Sequence, residues 1–162
     1  MTCCIGVLWE KKMRAVGLIK HFSYIASVVL TVSQVLMKKK IVLEYTLNSS
    51  PKVLYPRLST PGGLSEWFAD NVNINGPVFS FFWDDGEQQA EIVQKKENRY
   101  IRFKWIDEDD PETQWFEFRI NVDELTGEAA LIVTDFTEEE DKESTIELWN
   151  SQVAKLKHII GL

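Results

Sequence analysis

The residues with reactive side chains are few and scattered. The 162-residue chain holds two histidines, His21 and His158, and two cysteines, Cys3 and Cys4. Neighbouring cysteines bridge each other only with strain. No cysteine occurs after Cys4. Thiol catalysis and thiolate metal sites are therefore excluded from the body of the chain, which fits a reducing, cytoplasmic compartment. His158 stands beside an apolar stripe near the chain end and reads as a surface or cap residue. No His, Cys and Asp cluster has metal-ligand spacing, no serine sits in a nucleophile elbow, and Pro61-Gly62-Gly63 reads as a break rather than a phosphate loop. The acidic runs Asp107-Glu108-Asp109-Asp110 and Glu138-Glu139-Glu140-Asp141 lack the glycine and terminal glutamate of a calcium loop. They read as a solvated loop and a solvated helix start. No catalytic residue, metal or cofactor is expected.

Aromatic residues make up 12% of the chain, and they are where function would reside. Phe79, Phe81, Trp83, Phe103, Trp105, Phe116 and Phe118 fall on one face of a predicted sheet, with Trp67 and Trp149 able to join them. Such rings either fill a core or line an apolar pocket. Asp135 points to the same side near the end of its strand: either it lies past the covered part of the sheet, or burial raises its pKa and a ligand's polar group meets it there. Phe82 and Trp115 point the other way and suggest a protein contact or a homodimer through the outer face.

The elements that must position these residues follow from hydrophobic period. Ile41, Leu43 and Tyr45 alternate with Val42, Glu44 and Thr46 in a first strand. Ser50 is a good N-cap and Pro51 a good first helical residue. A helix through Val53, Leu54 and Leu58 ends at Thr60, and a second is expected from Leu64 to Phe68. Val72 and Ile74 mark a short strand closed by Gly76-Pro77. Strands are then expected at 78–83, 88–94, 99–106, 114–122 and 129–136, joined by short polar loops, which implies an antiparallel meander.

The pleat permits a trial register. Pairing Trp83 with Gln88, Gln94 with Arg99, Trp105 with Phe116 and Val122 with Ala129 keeps one face apolar over five strands. On the outside it sets Glu91 opposite Arg102 and Lys104 opposite Glu117. The last segment changes period: Ile146, Trp149, Val153, Leu156 and Ile160 form one stripe of a helix over about 141–160, stopped by Gly161.

Charge divides the chain. Residues 38–162 carry 14 basic and 24 acidic residues, a balance of −10. This argues against nucleic acid as a partner. Residues 1–37 carry Lys11, Lys12, Arg14 and Lys20 against Glu10 alone, and include the uncharged run FSYIASVVLTVSQVLM. We read residues 1–36 as an N-terminal extension and 37–162 as the domain. Three readings compete for the extension: translation from upstream of a natural start at Met37, a signal or anchor, and a docked helix. Membrane contact is expected only if it is retained.

The order strand, two short helices, curved meander and long helix resembles the helix-grip fold of the START-like (SRPBCC) superfamily, typified by the birch-pollen allergen. The closer likeness is to bacterial members similar to the activator of Hsp90 ATPase. It is carried by SSPKVLYPRLSTPGGLSEWFAD, FFWDDGEQQAEI, YIRFKW and LWNSQVAKLKHIIGL. The resemblance implies an α+β fold whose curved sheet wraps the long helix and often leaves a cavity for lipids, sterols or polyketides. The lining would come from Trp67, Phe79, Phe81, Trp83, Phe103, Trp105, Phe116, Phe118, Asp135, Trp149 and Val153. Noncatalytic binding of a small apolar molecule is the first functional expectation. A co-chaperone-like interaction module is the second. A cyclase or dehydratase, for which only Asp135 and Tyr45 offer polar groups, is the third.

Overall fold

The computed structural model describes residues 38–84, 86–107 and 115–162. The extension 1–36 and the acidic run at 108–110 lie outside them. The described elements are β1 (Lys39–Leu47), α1 (Pro51–Ser59), α2 (Pro61–Ser65), β2 (Asn71–Asn75), β3 (Val78–Trp83), β4 (Gly86–Lys96), β5 (Tyr100–Ile106), β6 (Trp115–Val122), β7 (Ala129–Thr137) and α3 (Lys142–Ile159). The strands form one antiparallel sheet in the order β1-β7-β6-β5-β4-β3-β2. The meander is therefore completed by the first strand, which returns to pair with the last. The apolar stripe of α3 packs into the concave face through Trp149, Val153 and Leu156, all buried. α1 packs against β5 and β6 and covers one end of that face. No described helix is long and apolar enough to cross a membrane.

The predicted faces are correct and three of the four trial registers are not. Val122 does pair with Ala129. Trp83, however, pairs with Gly86, so β4 begins earlier than expected and Phe79, rather than Phe81, meets Ala90. Phe103 pairs with Phe116 rather than Phe118. Shifts of two residues preserve the face on which each side chain lies. Between β4 and β5 a bulge intervenes at Ile92 and Gln94, leaving Val93 unpaired and exposed. The extra residue lets β4 run on to Lys96, and Asn98 turns the hairpin with a φ of +57°. The outer ion pairs exchange partners accordingly: Glu91 faces Lys104, and Arg102 faces Glu117.

The helices also depart from expectation. Ser50 makes no side-chain cap, although its carbonyl accepts from the amides of Val53 and Leu54. The capping side chain is Thr60, whose Oγ1 accepts from Gly63 N at 3.0 Å and opens α2 at Pro61. The second helix thus starts three residues before Leu64 and ends at Ser65, and Trp67 and Phe68 sit in the turn beyond it. Proline at the first helical position starts α2 rather than breaking the chain. α3 matches its predicted span to within a residue at each end, and Gly161, at φ +83°, closes it.

Candidate functional site

The concave face gathers every aromatic residue singled out for it. Phe79, Phe81, Phe103, Phe116 and Phe118 are at most 1% exposed. Their rings interlock: Phe103 stacks on Phe116 at 5.0 Å, and Phe79 meets Phe103 edge-on at 5.3 Å. Each such pair adds about 0.5–1.5 kcal/mol beyond the area it buries. Val153 is buried among the same cluster. Trp67 packs 5.4 Å from Phe118 and donates its indole N–H to the carbonyl of Arg57 at 2.9 Å.

One end of this face is different in character. Here β3, β5 and β7 end and α3 begins. Trp83 donates from Nε1 to the carbonyl of Phe68 at 3.0 Å. Trp105 is only half-buried, its ring 4.6 Å from Phe116 and 5.8 Å from Phe81. Trp149 donates from Nε1 to Oδ2 of Asp135 at 2.9 Å, and the Asp135 Oδ1 accepts from the Phe136 amide at 2.8 Å. Burial pushes the Asp135 carboxyl up to about 6, against the opposing pull of the two N–H donors and the Lys38 charge. Asp135 thus faces inward from β7, opposite the buried Ile41 of β1. Two bound donors still leave the carboxylate lone pairs for a further donor.

Four residues escaped sequence reasoning as site residues. Phe68 is the hub: its ring touches Trp67, Phe81, Trp83, Phe116, Phe118 and Trp149, with the last stacked at 5.8 Å. It lies in a turn, where no periodicity marks an inward residue; its place next to Trp67 was the only signal. Gln152, on α3, is buried and its amide reaches the same Phe68 carbonyl at 3.4 Å. Thr137 and Thr145 share a hydroxyl hydrogen bond of 2.9 Å across the β7–α3 connection. Tyr45, the other polar group considered, donates its hydroxyl to Asn150 Oδ1 at 2.8 Å and ties β1 to α3.

Among the described residues no group of three or more His, Cys, Asp or Glu is placed to hold a metal ion. A depression of about 230 Å³ lies elsewhere, between Glu44, Thr46, Asn121, Asp123, Thr126, Glu128, Ala129 and Ala130. It opens at the outer surface, and none of the aromatic residues of the concave face lines it. Outward-pointing Phe82 and Trp115 are both half-buried, on β3 and β6. Two strands separate them, about 14 Å in all, so they form no common patch.

A curved antiparallel sheet gripping a C-terminal helix is a recurrent architecture, and residues 35–162 match the family model described as a START-like superfamily domain. The chain belongs to the START-like superfamily. Among solved structures it is similar to the Bacteroides fragilis protein BfR322, at 41% identity over 77% of this chain and 93% of that one, with a TM-score of 0.56. The Aha1 dimer from Colwellia psychrerythraea shares 18% identity over 74% and 93% of the two chains, with a TM-score of 0.63. CalU16 from Micromonospora echinospora shares 15% over 76% and 75%, with a TM-score of 0.59. The latter two likenesses concern fold alone. No curated protein matches the chain.

Proposed function

We propose that this START-like domain is a noncatalytic binding module for a small, mainly apolar molecule carrying one hydrogen-bond donor. The observation that carries the reading is Asp135. A carboxylate on a largely apolar concave face is costly to desolvate, yet this one is held in place by Trp149. Apolar walls with one or two oriented polar groups are the usual make-up of a small-molecule site. Trp83, Trp105 and Trp149 would supply the walls and Asp135 the anchor. The deeper phenylalanines would support them, as their rings already fill the space between them.

The test is native mass spectrometry of the full chain purified from cells, followed by solvent extraction. An adduct of constant mass, lost on Trp105→Ala while the fold persists, is the expected result. A bare polypeptide mass, with no quenching of indole fluorescence by naphthyl-sulfonate or fatty-acyl probes, would overturn it.

A further inference from the structure

The convex face of the sheet carries a second organised cluster, unconnected with the apolar interior. Glu117 points outward from β6 yet its side chain is only 5% exposed, because two arginines close over it. Arg102, across from it on β5, donates to Oε2 from Nε at 3.0 Å and from Nη2 at 2.9 Å. Arg119, two residues along β6, donates to Oε1 from Nε and Nη2, each at 2.9 Å. Both guanidinium groups are also stacked on rings: Arg102 lies 3.9 Å over Trp115, and Arg119 lies 4.5 Å over Tyr100. Lys40 stands 5.7 Å over Trp115 from β1, and the exposed Lys104 faces Trp115 from β5. Phe136 braces the same indole edge-on at 5.1 Å.

One carboxylate needs one arginine for neutrality. Here it orients two, so the cluster keeps a positive charge in a region whose overall balance is −10. Each guanidinium spends its Nε side on Glu117, which leaves three N–H donors per arginine that Glu117 does not use. The arginine side chains remain 30% and 42% exposed. Fixed, stacked guanidinium groups lose little freedom on binding, and they match carboxylates in pairs. Lys40 and Arg102 converge on the same indole, at 5.7 and 3.9 Å from its centre, while Arg119 lies over a different ring, so the cations occupy two neighbouring positions rather than one pocket. A base cannot stack on the ring faces that Arg102 and Arg119 already cover, and Glu44 and Glu91 border the strip on the same face.

From this arrangement we infer that the convex face docks an acidic peptide segment of a partner protein, with its carboxylates on the outer edges of Arg102 and Arg119. This surface is independent of the concave site and of the ligand proposed for it.

The experiment is fluorescence anisotropy of the full chain with a labelled twelve-residue peptide of alternating glutamate and glycine, and its glutamine counterpart. Saturable binding of the acidic peptide alone, weakened by added salt, is expected. The Arg102→Gln and Arg119→Gln double variant should weaken it roughly tenfold or more. Lys40→Gln with Lys104→Gln leaves Glu117 satisfied, so it tests the charge without risking the fold; it should weaken binding about threefold. Equal binding of both peptides, no binding, or indifference to the lysine pair would overturn the inference. So would full competition by inorganic phosphate, tighter binding of a single-stranded oligonucleotide, or a dimer dissociated by the same substitutions, which would assign the face to a small anion, a nucleic acid or a second copy.

Discussion

The indole N–H of Trp149 donates to the carboxylate of Asp135 across 2.9 Å and joins the long helix to the last strand at the half-open end of the concave face. Burial outweighs this donor and pushes the Asp135 carboxyl up to about 6, against 3.8 ordinarily. The sign follows from proton counting. Below about pH 4 both folded and unfolded chains are protonated here. Between about pH 4 and 6 the folded chain keeps a proton that the unfolded chain has lost, so stability falls as pH rises, and above that window this group adds no further slope. One pH unit of displacement corresponds to about 1.4 kcal/mol, and the partial solvent contact of this carboxylate holds the loss to about 1–2 kcal/mol. Asp135→Asn keeps the acceptor for Trp149 and removes the titration. Urea unfolding of both proteins from pH 4 to 7 should show the variant gaining on the parent as pH rises. The difference between the curves isolates Asp135 from Asp123 and Glu139, whose carboxyls are displaced downward. A constant difference would contradict the assignment.

Gly63 of α2 lies close against the backbone of α1. A methyl group there would lie 2.3 Å from the carbonyl oxygen of Pro56 and 2.6 Å from the Cα of Arg57. Both are backbone atoms and cannot swing aside. Gly63→Ala should therefore destabilise the domain by about 1–3 kcal/mol. Gly62, a residue earlier, meets nothing within 4 Å, and Gly62→Ala should be neutral or mildly stabilising. Equal midpoints for the two variants in chemical unfolding would refute the packing account.

Asn98 closes the β4–β5 hairpin at a φ of +57°, with the Arg99 amide bonded to the Lys96 carbonyl at 3.0 Å. Asparagine tolerates this conformation better than other residues with a Cβ, and glycine adopts it without strain. Asn98→Gly should leave stability within about 0.5 kcal/mol, whereas the β-branched Asn98→Val should cost about 1–2 kcal/mol. The cost should fall mainly on this hairpin, so amide exchange in β4 and β5 should quicken more than in β1 and β7. Uniform acceleration across the sheet would argue that the turn is not its source.

What alternation can and cannot reveal is visible in the charged pairs. Both the trial register and the actual one match opposite charges, Glu91 with Arg102 or with Lys104, and Lys104 or Arg102 with Glu117. Charge complementarity therefore could not choose between registers two residues apart, and apolar alternation is blind to such a slip by construction. The choice was made by turn geometry and by the bulge beside Val93, neither of which leaves a period in the sequence. The inward direction of Asp135 was legible from the pleat. Its indole partner was not, because that pairing depends on where along β7 the helix α3 is laid down. Phe68 was hidden for a related reason: it reaches the centre of the interior from a turn, and only the fold places it there.

Filling and lining residues on the concave face can be separated by one pair of substitutions. Phe103 is fully buried between Phe116 and Phe79, so Phe103→Ala leaves a cavity and should cost about 3–5 kcal/mol. Trp105 is half-buried at the rim and holds Phe116 from one side. Its truncation removes less buried area, and Trp105→Ala should cost about 1–2 kcal/mol. If the rim is the binding surface, uptake of an apolar probe should fall in Trp105→Ala despite its milder loss of stability. Phe103→Ala, at a temperature where it stays folded, should retain uptake or gain capacity from the new space. The opposite ordering, with uptake following stability alone, would place the probe in the packed interior and deny the half-open end a role of its own.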